Sequence, residues 1–260
     1  MQVKCPVLIY HAIDGNDRYA VTRLTFERHM LYLHRHRFHT VVPGETPRVD
    51  ADERPVMITF DDGFRSDLTL ALPIMERWGF RPVSFVTVDY VGRYGYLAWN
   101  DVRALSDAGG SIQSHTCSHA LLPMLPTEMV RHELRESRVI LEQVTGRQVK
   151  SLSLPGGGIS GRVRRLVQEE GYRYLFTSRP SLGVCRVTGR VLVTETMTEK
   201  IFAALVAGDR CVYIRRAAAY DIKQVLRAAV GPERYLRLWR RYIKYRGAAD
   251  AEAALQNKRK

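Results

Sequence analysis

The chain has 260 residues, 45% of them hydrophobic, and a formal net charge of +13. That length and apolar content exclude a disordered chain and allow one barrel-sized domain or two small ones. No run approaches the roughly 20 apolar residues of a membrane helix, and the N-terminus lacks the basic-then-apolar pattern of a signal peptide, so a soluble cytoplasmic protein is expected.

Pro6-Val7-Leu8-Ile9-Tyr10 reads as a first strand that delivers His11 at its tip. Thr25 can cap a helix with Phe26, Met30 and Leu33 at i, i+4 and i+7, which puts His29, His34, Arg35 and His36 mostly on the solvent side. After a polar loop from Pro43 to Arg54, Val56 to Phe60 has the branching of a buried strand and ends in Asp61-Asp62-Gly63. A buried strand has no structural use for two acids at its tip. Asp67 to Trp78, stopped by Gly79, reads as a helix with Leu68, Leu72 and Met75 inward and a bend at Pro73. Pro82 to Val88 is the next strand, and a Tyr/Gly-rich loop from Asp89 to Leu97 leads to a helix starting near Trp99. Ser111 to Ser114 forms a strand into His115-Thr116-Cys117-Ser118-His119. A long helix from about Thr127 to Val144 follows, then a strand from Val149 to Leu154 that ends in Pro155-Gly156-Gly157-Gly158. Ser160 caps another helix, and Tyr174 to Thr177 and Val191 to Thr194 are the last strands.

About seven alternations of strand and helix call for a parallel sheet with crossover helices, and the length favours a barrel over an open sheet. His11, Asp61/Asp62, His115/His119 and Pro155-Gly156-Gly157 each follow the carboxyl end of a strand, the rim where such barrels hold catalytic loops. A carboxylate of the acidic pair with the two imidazoles makes a three-ligand site for a divalent metal, one position remaining for water. Cys117 is the one thiol close enough to be weighed as a further ligand. It and Cys5, Cys185 and Cys211 lack CxxC spacing and read as reduced thiols.

Of the net charge, +9 lies between Asp209 and Lys260. Pro232 to Arg246 reads as a helix with Leu236, Trp239 and Ile243 on one face and six basic residues around them. Such a helix either packs its apolar stripe on the barrel or lies peripherally on an anionic membrane. Nucleic acid is the weakest partner for it, prompted by charge alone.

At its acidic and histidine motifs the chain resembles the polysaccharide deacetylases of carbohydrate esterase family 4, over roughly residues 5 to 195. Thr59-Phe60-Asp61-Asp62-Gly63 matches the family's TFDDG motif, and His115-Thr116-Cys117-Ser118-His119 matches its histidine motif in the form HTxSH. The resemblance implies that Asp61 is the catalytic base and that Asp62, His115 and His119 hold a divalent metal, zinc ahead of cobalt, nickel or manganese. The family's third motif, RxPxG, here reads Ser153-Leu154-Pro155-Gly156-Gly157, so its arginine is missing, and Arg65 and Arg190 are candidate substitutes. The late LxxH motif that supplies the family's general acid is also missing, whereas Leu8-Ile9-Tyr10-His11 has that pattern at the N-terminus. This is similar to the circularly permuted branch that de-N-acetylates poly-N-acetylglucosamine, with His11 as the acid.

Gly156 N–H is then a candidate donor to the oxyanion. Trp99 resembles a tryptophan near the family's substrate groove, or packs on the core. Tyr90, Tyr94 and Tyr96 stack on sugar rings or cover a loop. The resemblance thus implies a hydrolase removing the N-acetyl group from an amino sugar in a glycan or lipid-linked glycoconjugate. The alternatives are a deformylase or deacetylase of another lipid-linked sugar, and a glycan-binding barrel without catalysis. The expected architecture is a distorted (β/α) barrel of about seven parallel strands over residues 1–195, with a basic helical extension over 196–260.

Overall fold

In the computed structural model, which describes residues 4–15, 17–45, 54–231, 234 and 237, the apolar segments form one parallel sheet. Its strands are β1 (Val7–Tyr10), β2 (Phe38–Thr40), β3 (Arg54–Asp62), β4 (Val83–Val86), β5 (Ser111–Ser114), β6 (Ser151–Ser153), β7 (Tyr174–Thr177), β8 (Val187–Gly189) and β9 (Val191–Leu192). They run in the order β8-β7-β6-β5-β4-β3-β1-β9, with β2 added beside the start of β3. The two ends of this path, β8 and β9, are separated in the chain by Arg190 alone, so the sheet curls into a nearly closed barrel. Eight strands lie on the path instead of about seven because the chain divides at this seam. Val187–Gly189 pairs with β7, and Val191–Leu192 pairs with β1.

The helices are α1 (Arg23–Arg35), α2 (Leu72–Glu76), α3 (Trp99–Asp107), α4 (Thr127–Thr145), α5 (Gly161–Glu169), α6 (Glu199–Val206) and α7 (Arg210–Val230). Thr22, Ser160 and Thr198 cap α1, α5 and α6, each side-chain oxygen accepting from the backbone N–H three residues on. The cap of α1 is therefore Thr22, one turn before the expected Thr25. Pro73 lacks the N–H that an α-helical turn needs, and the bend expected there takes the form of a wide π-helical turn, Asp67–Ala71, ahead of α2.

Strand alternation sorts the core into an inside and an outside. Leu8, Tyr10, Ile58 and Phe60 face outward into a cluster with Phe26, Met30 and Leu33 of α1, Ile74 and Met75 of α2 and Phe202 of α6. Ile112, Leu152 and Leu175 meet α3, α4 and α5 in a second cluster. Val7, Met57, Val83, Phe85 and Phe176 fill the barrel interior beneath the catalytic rim. His29 corrects one expectation. It is 3% exposed, stacks on Phe202 at 3.9 Å and is hydrogen-bonded through Nδ1 to the Tyr10 hydroxyl at 3.0 Å. It sits three residues after Phe26, on the inward stripe, whereas His34 and His36 are exposed as expected.

No described helix is long and apolar enough to cross a membrane. Most of the expected helix from Pro232 to Arg246 lies outside the described residues; within it, Arg234 and Arg237 are helical and exposed.

Candidate active site and metal centre

β3 points Met57, Thr59 and Asp61 into the barrel, and strict alternation would turn Asp62 away. The backbone breaks that alternation with φ +78 at Asp62 and +79 at Gly63, so both acids face one cleft of about 570 Å³. Gly63 is required there, since a Cβ would add left-handed strain and press on Val86 at 3.2 Å.

The first acid is held by the seam. Arg190, fully buried between β8 and β9, donates from Nη1 and Nη2 to the two carboxylate oxygens of Asp61 at 2.7 Å each. Nη1 also reaches Thr59 Oγ1 at 3.0 Å and Nη2 reaches Ser153 Oγ at 2.6 Å, and the guanidinium lies 5.1 Å from the Phe85 ring centroid. Burial by itself would raise the Asp61 carboxyl. The charge and hydrogen bonds of Arg190, with His115 and His11 adding, outweigh it and hold the group below the usual carboxylate range. Ser153 occupies the motif position where the family carries arginine, and its hydroxyl accepts from Arg190, which reaches it from the seam two strands away. Arg65 is exposed and does not line the cleft.

The second acid meets the histidines. His119 Nε2 lies 3.2 Å and His115 Nε2 3.5 Å from Asp62 Oδ1, and ligand atoms of the three residues all fall within 4.8 Å of one another. Metal–ligand bonds of about 2.0–2.2 Å put tetrahedral ligands about 3.4 Å apart, so an ion fits among them. The tautomer agrees. His115 Nδ1 lies 2.9 Å from the Ser153 carbonyl, which can only accept, so Nδ1 carries the proton and Nε2 presents a lone pair toward the carboxylate. Two acceptors facing each other at that distance call for a cation between them. Burial also lowers His115 to about 4, which keeps it neutral.

The loop bearing the histidines is strained, with φ +70 at Thr116 and +61 at His119. Glu133 of α4 holds it. One carboxylate oxygen accepts from the Cys117 and Ser118 N–H groups at 2.9 Å each, and the other from the Ser118 hydroxyl. Glu133 was not anticipated from sequence, although a carboxylate three residues after Val130, on the apolar stripe of α4, is a readable signal. Tyr90 also supports the loop, stacking against His119 at 5.8 Å in a buried cluster with Phe64 and Tyr96, while Tyr94 is exposed.

His11 lines the same cleft from the tip of β1, its ring 5.1 Å from that of Tyr19. Gly156 lines it too, at φ +67, where a Cβ would come within 2.8 Å of Leu121. Trp99 does not line it; the side chain is half-buried against the cluster around α3, α4 and α5. Cys117 stays outside the ligand set, and burial pushes its thiol up to about 12. All four cysteines are free thiols.

Fold and site together define a (β/α)-barrel hydrolase with three convergent ligand-type side chains at its carboxyl-terminal rim. The family model of the polysaccharide deacetylases matches residues 48–175 of the chain. The chain's catalytic class is accordingly that of hydrolases acting on carbon–nitrogen bonds other than peptide bonds. The Bacillus subtilis (strain 168) protein YxkH is 27% identical over 213 residues, 78% of this chain and 76% of its own. BC0361, a polysaccharide deacetylase from Bacillus cereus, superposes with a TM-score of 0.72 at 25% identity, over 79% of this chain and 69% of that one. IcaB from Ammonifex degensii shares the fold, with a TM-score of 0.70 at 22% identity over 79% and 96% of the two chains.

Proposed function

We propose that this chain is a metal-dependent N-deacetylase for an amino sugar of the N-acetylglucosamine type, carried in a glycan or a lipid-linked glycoconjugate. The observation that carries the reading is that two neighbouring carboxylates are held in different ways, Asp61 by Arg190 and Asp62 beside His115 and His119. A divalent ion, zinc ahead of cobalt, nickel or manganese, fits Asp62, His115 and His119 and when bound supplies Lewis acidity at the acyl group. Asp61, ionised and outside the ligand set, takes a proton from the attacking water. His11 gives a proton to the nitrogen as its bond to the acyl carbon breaks, so that acetate and a free amine leave. Gly156 N–H is the proposed donor to the acyl oxygen.

The place of β1, between β3 and β9, supports reading His11 as the acid of a circularly permuted chain. The case for a non-catalytic glycan-binding barrel rests on the missing arginine, and the contact of Arg190 with Asp61 weighs against it. A cytoplasmic location, with the basic residues beyond α7 contacting anionic lipid, completes the proposal.

Acetate and formate release from N-acylated glycans and lipid-linked sugars, measured together with metal content, tests this reading. About one divalent ion per chain is expected. Asp62→Ala and His119→Ala should lose ion and activity together, whereas Asp61→Asn should keep the ion and lower kcat by about 10²–10⁴-fold. Loss of the ion from Asp61→Asn as readily as from Asp62→Ala would overturn the division of roles.

A further inference from the structure

The cleft has a second wall that the deacetylation chemistry does not use. α7 presents Arg216, Ala219, Tyr220, Lys223 and Gln224 to it, at positions i, i+3, i+4, i+7 and i+8 of one helical face. The Tyr220 hydroxyl donates to the Gly157 carbonyl at 3.0 Å and ties this face to the loop after β6, next to Gly156. Arg18 joins the lining from the segment that follows β1.

The charges on this wall are uncompensated. Asp221, the acid of this part of α7, is engaged by Arg179 in a bidentate pair at 2.8 Å for each contact. Among the described residues, no carboxylate lies within ion-pair distance of Arg18, Arg216 or Lys223, and the only acids lining the cleft are Asp61 and Asp62 at its floor. Arg216 is half-buried, and the Gln224 Nε2 donor is buried with no hydrogen-bond partner among the described residues. Arg18 and Lys223 are exposed at the mouth of the cleft, whereas the half-buried Arg216 and the buried Gln224 donor, lacking an acceptor among the described residues, are a cost to the fold alone and an asset when an anion enters.

We infer that Arg18, Arg216, Lys223 and Gln224 form a subsite for a phosphoryl group attached to the acylamino sugar. The inference rests on the reading of this cleft as a sugar deacetylase site and names the substrate class more narrowly. One carboxylate would balance one of the three cations. A phosphate ester carries up to two charges and several acceptor oxygens, which suit the planar forks of two arginines and the point charge of a lysine. The phosphate belongs either to a soluble sugar phosphate or to the headgroup of a lipid-linked sugar.

Calorimetric titration of the intact chain separates these possibilities, with N-acetylglucosamine 1-phosphate, its long-chain alkyl phosphodiester, methyl N-acetylglucosaminide and N-acetylmuramic acid as probes. The 1-phosphate should bind at least about tenfold tighter than the methyl glycoside. That preference should shrink as salt rises from about 50 to about 500 mM. It should also fall about tenfold in Arg216→Ala or Lys223→Ala and vanish in the double variant. Tighter binding of the alkyl form assigns the lipid-linked source, and equal binding assigns the soluble one; both uphold the phosphoryl contact. Equal affinity for the phosphate and the methyl glycoside in the wild type at low salt would overturn the inference. So would a preference that survives in the double variant, or N-acetylmuramic acid binding as tightly as the phosphate. Binding is read without turnover, so a preserved preference with no acetate released would sink the deacetylase reading and leave the subsite standing.

Discussion

The arc of the barrel from β3 to β7 and the seam where β8, β9 and β1 meet furnish one cleft by different means. In the arc the chemistry is local. Asp61 and Asp62 are neighbours at a strand end, His115 and His119 share one short loop, and that loop accepts support from a carboxylate of α4 and from Tyr90. At the seam nothing is local. His11 stands near Asp61 because β1 pairs with β3, and Arg190, far later in the chain, reaches Asp61 because β9 closes onto β1. The family model, matching residues 48–175, covers nearly all of the arc and neither of these two residues. A site built from motifs requires only that its strands form, whereas a site built at a seam requires the barrel to close. Substitutions at the seam should therefore couple the site to global stability, and those in the arc should not.

The strongest way to break that contrast is Arg190→Met. It leaves Asp61 buried without its partner, which should cost about 3–5 kcal/mol of unfolding free energy in chemical denaturation. Adding Asp61→Asn to it removes the stranded charge and should recover more than half of the loss. If Arg190→Met unfolds within about 0.5 kcal/mol of the wild type, the seam carries no special stability and the contrast fails.

The same division decides what could be read from the sequence. Of the arc strands, β3 and β4 are apolar runs and β5 and β6 are short and half polar but flanked by glycine or proline, and the arc's catalytic residues stand where an acid or imidazole has no packing use, so fold and ligands are legible there. β2, Phe38-His39-Thr40, and β8, Val187-Thr188-Gly189, are short and partly polar and carry no periodic signal of their own. Arg190 is only one of two candidates in the sequence, because what selects it over Arg65 is the closure of the barrel that brings it onto Asp61 and Ser153. His29 is polar by residue type, which predicts the solvent face, but its spacing from Phe26 puts it on the apolar stripe, and the spacing decides.

His29 provides the next test, since its stack on Phe202 joins the N-terminal helix α1 to α6 beyond the seam. Burial lowers its pKa to about 4, with Glu195 pulling the other way. An unfolded chain protonates this group near 6.5 and the folded one only near 4. The stability at stake is therefore fully present above about pH 6.5 and is lost as pH falls to about 4, by about 3 kcal/mol in total. His29→Gln retains an amide beside Tyr10 and does not titrate. The difference in unfolding free energy between wild type and this variant should shift toward the variant by about that amount between pH 7 and pH 4. A difference that stays constant with pH would show that the histidine charges within the fold and that this part of the seam side is not tightly packed.

The smallest expected effect belongs to the arc and sharpens the comparison from its other side. Glu133→Gln keeps an acceptor for the Cys117 and Ser118 N–H groups but removes the charge that strengthens all three hydrogen bonds to the strained loop. The histidines should then be held less firmly, and affinity for a divalent ion, read by competition with a chelating dye, should fall about 10–100-fold. Because Glu133 acts within one loop, the denaturation midpoint measured with the ion removed should move far less than it does for Arg190→Met. A large loss of ion-free stability with unchanged ion affinity would reverse the roles of the two regions, making the arc residue the structural one.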